Sequence, residues 1–272
     1  MLQDIMPKKL DNHYSADVLP DSDSIFFHFR GCEVLVNDTS SPFPVYETFV
    51  YEHPVYLFSI GDVKYFLARD MNVSVPEGFT YKNIKSLRSS RNVSKENFFA
   101  LFTAYHLSEW YRSNCFCGSC GQRTELYRIE RAMRCTGCGK LIYPRLNPAV
   151  IAGVIKDDKL LVTHYVQNRG VTCNALVAGF TEIGETFEET VSREVMEEVG
   201  LKVKNIRYYK SQPWGFSGGI LAGFFCEVDG DDSITLDSSE LSSAVWTEKK
   251  DISGQTDDYS LTNEMMMYFK NS

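Results

Sequence analysis

Short apolar runs dominate the first 90 residues of the chain. Residues 24–29, 32–36, 55–60 and 63–68 are rich in Phe, Val and Tyr and predict strands, and Gly61-Asp62 between the last two is a hairpin signal. No catalytic pattern accompanies them, and the scattered His13, His28 and His53 are expected to be ordinary core or surface histidines. We therefore predict an N-terminal β-rich domain over residues 1–93.

The apolar period changes from strand to helix after residue 93. Phe98, Leu101, Phe102 and Tyr105 recur at i, i+3, i+4 and i+7, and Ser94 stands where an N-cap is expected. The pattern predicts a helix that ends near residue 112 and leads into a cysteine-rich stretch. Residues 94–146 are assigned to this linker helix and the cysteine-rich module.

Strand patterns return in the C-terminal half. Strands are predicted at 150–155, 160–166, 175–178, 206–209, 220–228 and 244–247, with an Asp157-Asp158 turn after the first. A charged helix near residue 190 and a Met- and Phe-rich helix at the end of the chain complete the pattern. Mixed strands and helices predict an α+β fold for a third domain over residues 147–272.

Composition and charge restrict the class of protein. The 272 residues are 43% hydrophobic and 24% charged, which is typical of a globular protein and excludes a mainly disordered or coiled-coil chain. A net charge of −8 argues against extensive electrostatic binding of nucleic acid. No apolar run reaches the length of a membrane span and the N-terminus lacks a signal pattern, so a cytoplasmic protein without membrane contact is expected.

The cysteines point to a metal site. Five of the eight fall within residues 115–138, and two CxxCG units supply Cys117, Cys120, Cys135 and Cys138. Paired CxxC turns present four thiolates to one ion, so one structural Zn²⁺ per chain is predicted rather than four free thiols. Cys115 could in principle replace Cys120, although the symmetry of the two units favours Cys117 and Cys120. A ribbon of this kind can also bind nucleic acid, but a scaffold role is favoured here because few aromatic residues accompany its basic ones.

The most informative segment is residues 179–201, GFTEIGETFEETVSREVMEEVGL. Thr186 with Glu189 forms a capping-box signal and Gly200 a helix stop. Between them an apolar stripe repeats every fourth residue, while Glu194, Glu197 and Glu198 share another face of the helix. Carboxylates so clustered repel one another and are stabilised by Mg²⁺ or Mn²⁺, although a solvated acidic face is the common alternative.

This segment resembles the Nudix box. The match comprises Gly179, five residues, Glu185, seven residues, and then Arg-Glu-Val-x-Glu-Glu-x-Gly-Leu from Arg193. The resemblance implies an α/β/α-sandwich domain that hydrolyses nucleoside diphosphates linked to another group. It also implies that Glu194 and Glu198 bind Mg²⁺ or Mn²⁺, that Glu197 belongs to the same cluster, and that Glu185 ligates through water. Arg193 is expected to orient these carboxylates, with Glu198 or Glu197 acting as the base.

A second motif narrows the resemblance to a subfamily. Ser211-Gln212-Pro213-Trp214 follows the box by ten residues, and together with the preceding cysteine ribbon it is similar to the NADH pyrophosphatase (NudC-type) family. Gly215 and Ser217 replace two prolines of that family's longer signature, so the loop carrying Trp214 is expected to be looser. The substrate-binding residues implied are Ser211, Gln212, Trp214, Phe216, Phe180 and Tyr143. The metal ligands implied beyond the box are Glu240 and the carbonyl of Ala178.

The function implied is hydrolysis of the pyrophosphate bond of NADH or NAD⁺ to AMP and nicotinamide mononucleotide. The family also removes NAD caps from RNA 5′ ends and suggests a homodimer. The two missing prolines leave open a broader Nudix hydrolase acting on ADP-ribose or diadenosine polyphosphates. A rival of another class is a zinc-ribbon binding protein with an inactive Nudix domain, which metal-dependent turnover would exclude.

Overall fold

The computed structural model describes residues 1–48, 54–69, 74–90, 92–166 and 174–272. His53 and Cys173, both noted in the sequence, lie outside the described residues. The chain forms two compact units, one of residues 2–145 and one of residues 146–272 together with Met1. In the described part of the chain, no helix is long and apolar enough to cross a membrane.

The first unit begins with a sheet whose strands follow the order β1-β4-β5-β2-β3-β6. Phe26, Leu35 and Phe66 are fully buried on one of its faces, where alternating apolar residues of neighbouring strands meet. The sequence signals identified the strands flanking Gly61, whose φ of 57° fits the predicted turn, but not β6. The strands are β1 Leu10–Asp11, β2 Ile25–Arg30, β3 Glu33–Asn37, β4 Val55–Ile60, β5 Val63–Ala68 and β6 Phe79–Asn83.

Two helices and a small sheet complete this unit. After α1 (Ile84–Leu87), helix α2 (Lys95–Ser113) begins as predicted, because the Ser94 hydroxyl accepts a hydrogen bond from the Asn97 amide at 3.1 Å. Phe98, Leu101 and Phe102 of the predicted stripe are buried. The cysteine-rich module forms an antiparallel sheet in the order β7-β8-β9. Its strands are β7 Thr124–Leu126, β8 Met133–Cys135 and β9 Leu141–Ile142.

The second unit is built on one mixed sheet in the order β13-β14-β10-β11-β15, with β12 also paired to β10. Strands β10 and β14 are parallel, and the other pairs are antiparallel. Its elements are β10 Asn147–Lys156, β11 Lys159–Tyr165, β12 Val177–Phe180, α3 Phe187–Val199, β13 Val203–Trp214, β14 Gly219–Val228, β15 Leu241–Glu248 and α4 Leu261–Asn271.

The sheet of the second unit lies between two helices. Val150 on β10 packs with Val195 of α3, whereas its neighbour Ile151 packs with Met265 of α4 on the opposite face. Successive strand residues point to opposite faces, and because β10 is apolar on both it is covered on both. This arrangement confirms the predicted α+β fold with an α/β/α sandwich in its C-terminal half.

One local expectation is wrong. Trp214 was placed on a loop, but it is the last residue of β13, paired with Gly219 of β14. Pro213 lies within this strand although it has no backbone N–H to donate. It is tolerated because β13 is the edge strand, where a missing N–H leaves no interior ladder bond unmade. Residues 215–218 then form the turn that connects the two strands.

Candidate active site

Helix α3 carries the carboxylates and is fixed at both ends by the signals seen in the sequence. The Thr186 hydroxyl accepts from the Glu189 amide at 3.2 Å, and the Glu189 carboxylate accepts from the Thr186 amide at 2.7 Å. Gly200 ends the helix with a φ of 72°. The apolar stripe of the helix is buried against the sheet, which leaves the carboxylates on another face of the helix.

Arg193 is the hydrogen-bond donor that links the carboxylates near that face. Its Nε and Nη2 donate to the two oxygens of Glu185 at 2.6 and 2.9 Å. Nη1 donates to Glu194 at 2.7 Å and to Glu197 at 2.9 Å, and Nη2 also donates to the Phe180 carbonyl at 3.0 Å. All five N–H donors of a guanidinium are thereby used. One side chain thus fixes three carboxylates and the end of β12 relative to one another.

The carboxylate of Glu185 is held by hydrogen bonds from the loop before α3 and from α3 itself. Besides Arg193, its carboxylate accepts hydrogen bonds from the Glu182 amide at 3.1 Å and from the Thr190 hydroxyl at 3.0 Å. The hydrogen bond from Arg193, followed by that from Glu182, lowers the pKa of Glu185 to about 2. Glu185 therefore stays ionised and positions Arg193, while its role through water stays a prediction.

Glu194 lies directly against the backbone of β12. A Cβ built on Gly179 would stand 1.9 Å from the carboxylate carbon of Glu194, so only glycine permits this approach. The carbonyl of Ala178, a predicted metal ligand, belongs to the preceding residue. Burial raises the pKa of Glu194, opposed by Arg193 and reinforced by the negative charges of Glu197 and Glu240.

Glu240 lies in the loop that precedes β15, where its negative charge acts on Glu194. The amides of Thr235 and Asp237 each donate at 2.9 Å to carbonyls in the last turn of α3, those of Val199 and Glu198 respectively. These bonds attach the loop to the helix end and satisfy carbonyls that a helix terminus leaves open. Neither Thr235 nor Asp237 was singled out in the sequence, because their bonds are made by backbone amides and carry no side-chain signal.

The donor set fits a hard divalent cation. Glu194, Glu197, Glu198 and Glu240 offer carboxylate oxygens, the ligands that Mg²⁺ and Mn²⁺ prefer. Glu198 is only 3% exposed, and Arg193 is already shared among three carboxylates. Negative charge in excess of one guanidinium at a partly buried site is stabilised when a cation binds.

Two predicted aromatic residues share one end of the sheet. Phe180 pairs with Ala149 of β10, and Trp214 lies beside Gly219 of β14, whose other neighbour is Asn147 of β10. Phe180 is 53% exposed. Trp214 is half-buried and meets Phe216 edge-on, with ring centroids 6.1 Å apart. The backbone carbonyl of Phe180 accepts from Arg193 of α3, so this end of the sheet is tied to the carboxylate helix. The exposed Ser211 lies three residues before Trp214 on β13.

Gln212 and Tyr143 have other contacts. Gln212 is fully buried, and its amide accepts from the Leu261 N–H and donates to the Tyr259 carbonyl, both at 2.7 Å. These bonds fix the start of α4, and the role of Gln212 in substrate binding stays a prediction. Tyr143 lies in the first unit, where its hydroxyl donates to Glu130 at 2.8 Å.

The four cysteines of the two CxxCG units converge in the first unit. Their sulfurs lie within 4.8 Å of one another, with Cys117 and Cys138 3.8 Å apart and Cys120 and Cys135 3.3 Å apart. The backbone amide of Cys138 donates to the sulfur of Cys135 and is the main cause that lowers its pKa to about 6. Four thiolates at this spacing suit a tetrahedral zinc ion.

The structure also resolves the ambiguity over the fifth thiol. Cys115 donates to the Tyr111 carbonyl at 3.5 Å and stays outside the cluster. Gly121 and Gly139 end the two cysteine turns with φ of 72° and 74°. The cluster contains Cys120 and not Cys115, which is the arrangement that the symmetry of the two CxxCG units favours.

Comparison with known proteins gives a consistent picture of the second unit. Residues 145–267 match the NUDIX domain. Over 146 residues the chain is 42% identical to the NAD-capped RNA hydrolases NudC of Enterobacter sp. (strain 638) and Salmonella schwarzengrund (strain CVM19633). The match covers 54% of this chain and 56% of each relative, so the chain spans about half the length of the curated relatives it matches.

A solved structure gives a weaker match. A NUDIX hydrolase from Nitrosomonas europaea aligns with 57% of this chain and 90% of its own, at 19% identity and a TM-score of 0.48.

Proposed function

We propose that the protein, whose residues 145–267 match the NUDIX domain, is a metal-dependent hydrolase of the pyrophosphate bond in NADH and NAD⁺. The products are AMP and nicotinamide mononucleotide. The observation that carries the proposal is the set of carboxylates that Arg193 holds on α3 beside an exposed aromatic end of the sheet. The 42% identity to NAD-capped RNA hydrolases supports the substrate class.

The residues have separable tasks. The divalent metal ion would be held by Glu194, Glu197, Glu198, Glu240 and the carbonyl of Ala178. When bound, Mg²⁺ or Mn²⁺ would neutralise the diphosphate and lower the pKa of a water. Arg193 is a positioning residue, since all its N–H donors bind Glu185, Glu194, Glu197 and the Phe180 carbonyl. Glu185 fixes the orientation of the Arg193 guanidinium, because its two oxygens accept from Nε and Nη2.

The base is Glu198 or Glu197, and the structure separates their surroundings. The Glu198 side chain is almost fully buried, whereas that of Glu197 is 59% exposed and bonded to Arg193. A base must reach the attacking water and change its protonation state there. Glu198→Gln and Glu197→Gln are compared at saturating metal, where loss of the base should lower turnover by orders of magnitude. Loss of a metal ligand alone should mainly raise the metal concentration needed for half-maximal rate.

A matched control lies on the same helix. Glu188 is exposed in the first turn of α3 and outside the cluster, so Glu188→Gln is expected to retain activity. Chromatography of AMP and nicotinamide mononucleotide from NADH with Mg²⁺ or Mn²⁺ measures all three variants. Near-normal turnover by both Glu198→Gln and Glu197→Gln contradicts the proposed site.

Substrate choice rests on the aromatic end of the sheet. Phe180 and Trp214 offer ring faces on which a base can stack, worth about 1–3 kcal/mol for each stacked base. Phe216 supports Trp214 from the turn, and Ser211 is a further candidate contact. Preferred cleavage of NADH over ADP-ribose and diadenosine polyphosphates is the expected result.

A broader specificity is the second candidate. Gly215 and Ser217 occupy the turn after Trp214 where the NADH pyrophosphatase signature has prolines, and glycine leaves the backbone freer than proline does. Cleavage of ADP-ribose equal to or faster than that of NADH would favour the broader specificity. The metal-dependent hydrolysis proposed for the site would be unchanged. Absence of turnover on every substrate would instead favour a binding protein.

Removal of NAD caps from RNA follows from the same bond. The relatives carry the name NAD-capped RNA hydrolase, and a capped transcript presents the same pyrophosphate. Because the chain carries a net charge of −8, we expect little contact with the RNA body. Cap removal from a short and a long transcript should proceed at similar rates, and a strong dependence on length would contradict this.

The remaining assignments complete the proposal. One Zn²⁺ per chain is bound by Cys117, Cys120, Cys135 and Cys138 in a structural role, because four thiolates leave no open coordination position. The homodimer is suggested by the family resemblance, and the cytoplasmic location expected from the sequence is part of the same proposal. Sedimentation of the purified chain measures the oligomeric state.

A further inference from the structure

The first unit contains a cavity of about 470 Å³ that has no part in the proposed reaction. It lies among the end of β2, the end of β5 and the last turns of α2. Its floor includes Leu67, Ala68 and Tyr111, which are all buried. Arg30, Arg69 and Arg112 also line it and are exposed, so an apolar floor is combined with a basic rim.

The arginines are not equivalent. Arg112 forms a two-point pair with Glu109, at 2.9 and 2.6 Å, which offsets its charge. The guanidinium of Arg30 lies 4.0 Å from the ring centroid of Tyr81, and that of Arg69 lies 5.7 Å from the ring centroid of Tyr111. Among the residues that the structure describes, neither guanidinium forms an ion pair.

These contacts prepare Arg30 and Arg69 for an anion. Stacking on a ring face restrains a guanidinium without using its N–H donors, which stay available for a phosphate or carboxylate. Two such charges at one cavity contrast with the net charge of −8 of the whole chain. The volume falls within the range of about 300–1,000 Å³ for small-molecule sites.

We propose that this cavity binds a small aromatic anion, namely a flat ring that carries a phosphate or carboxylate group and has the size of a nucleoside monophosphate. The ring lies on the apolar floor, and the anionic group binds Arg30 and Arg69. The site is separate from the carboxylate cluster, which belongs to the second unit. It does not depend on the proposed hydrolase activity.

Photoaffinity labelling of the full chain with 8-azido-AMP, without divalent cations, tests the site. Peptide mapping is expected to find label in the segments of residues 28–31 and 108–115. An excess of AMP should block that label, whereas adenosine should not. Label confined to residues 146–272 would overturn the proposal and indicate binding at the carboxylate site alone.

A variant and a matched control complete the test. The double variant Arg30→Gln, Arg69→Gln removes two exposed guanidinium groups and should reduce labelling of these segments by at least roughly tenfold, because charge-assisted bonds dominate anion binding. Arg134→Gln, an exposed arginine on β8 outside the cavity, should leave it unchanged. Undiminished labelling of the double variant would refute the site.

Two competitors identify the chemistry. Benzoate that displaces the label better than AMP indicates a ring carboxylate as the preferred ligand, in keeping with the proposal. Inorganic phosphate that competes as well as AMP means that the ring adds nothing, which overturns the aromatic part. If the double variant melts at a lower temperature than the wild type, the single variant Arg69→Gln decides the result in its place.

Discussion

The contact between Gly179 and Glu194 predicts a large effect from one methyl group. In Gly179→Ala the new Cβ would stand 1.9 Å from the carboxylate carbon of Glu194 and 2.0 and 2.2 Å from its oxygens. Ordinary contact begins near 3.4 Å, so the carboxylate must retreat by about 1.5 Å. The φ of Gly179 is not in the left-handed region, so the backbone accepts alanine without strain.

The size of the effect follows from this displacement. A misplacement of about 1 Å in a catalytic arrangement can cost roughly 10²-fold in rate, and Glu194 is also held at 2.7 Å by Arg193. We therefore expect Gly179→Ala to lower kcat/KM on NADH by about 100-fold or more and to raise the Mg²⁺ concentration needed for half-maximal rate. Steady-state kinetics across a Mg²⁺ titration measures both effects.

Two controls separate this mechanism from general damage. Gly118→Ala introduces a Cβ with nothing within 4 Å and should be silent. If alanine acts by displacing Glu194, then Gly179→Ala added to Glu194→Ala should cost little more than Glu194→Ala alone. Wild-type activity and Mg²⁺ dependence in Gly179→Ala, or full additivity in the double variant, would refute the reasoning.

Three further predictions concern stability and reactivity. Cys135→Ser should remove the zinc, measured as metal per chain, and lower the melting temperature, since structural zinc contributes to folding directly; unchanged zinc content would contradict the four-cysteine site. The hydrogen bond from Lys210 lowers the pKa of Glu264 below 4.5, so their pair stabilises the fold above about pH 4.5, and this contribution is lost as the pH falls through the lowered value. Glu264→Gln should therefore lower the melting temperature slightly at pH 7 and not at acid pH, whereas a difference that persists in acid would exclude the pair as its cause. Burial raises the pKa of the Cys226 thiol to about 12, so N-ethylmaleimide at pH 8 should alkylate the exposed Cys32 in the native protein and Cys226 only after denaturation; labelling of native Cys226 would show that β14 opens.

The sequence predicted local structure well where the signal lies within a few residues. Ser94 caps α2, and Thr186 with Glu189 forms the predicted capping box of α3. Prediction was weaker where pairing with distant strands decides the conformation. Strand β6 was missed, and β13 extends through Pro213 to Trp214 because β14 offers it a partner.

The roles of individual polar residues followed the same division. Arg193 could be identified as an orienting residue because its partners on the helix are one and four residues away. Gln212 was assigned to substrate from its motif, yet its amide binds the start of α4, 49 residues further along the chain. A buried amide takes whichever partners the tertiary structure brings to it, and burying it without them would be costly.

The sequence by itself determined the helix that carries the carboxylates, the two cysteine turns and the α+β class, because helical, CxxC and strand spacings are short-range geometric rules. Only the tertiary structure decided that Glu194 lies against Gly179, that the charge of Glu240 acts on Glu194, and that Arg30 and Arg69 share one cavity. These relations join residues far apart in the chain, and no local pattern encodes a contact that depends on how sheets and helices pack.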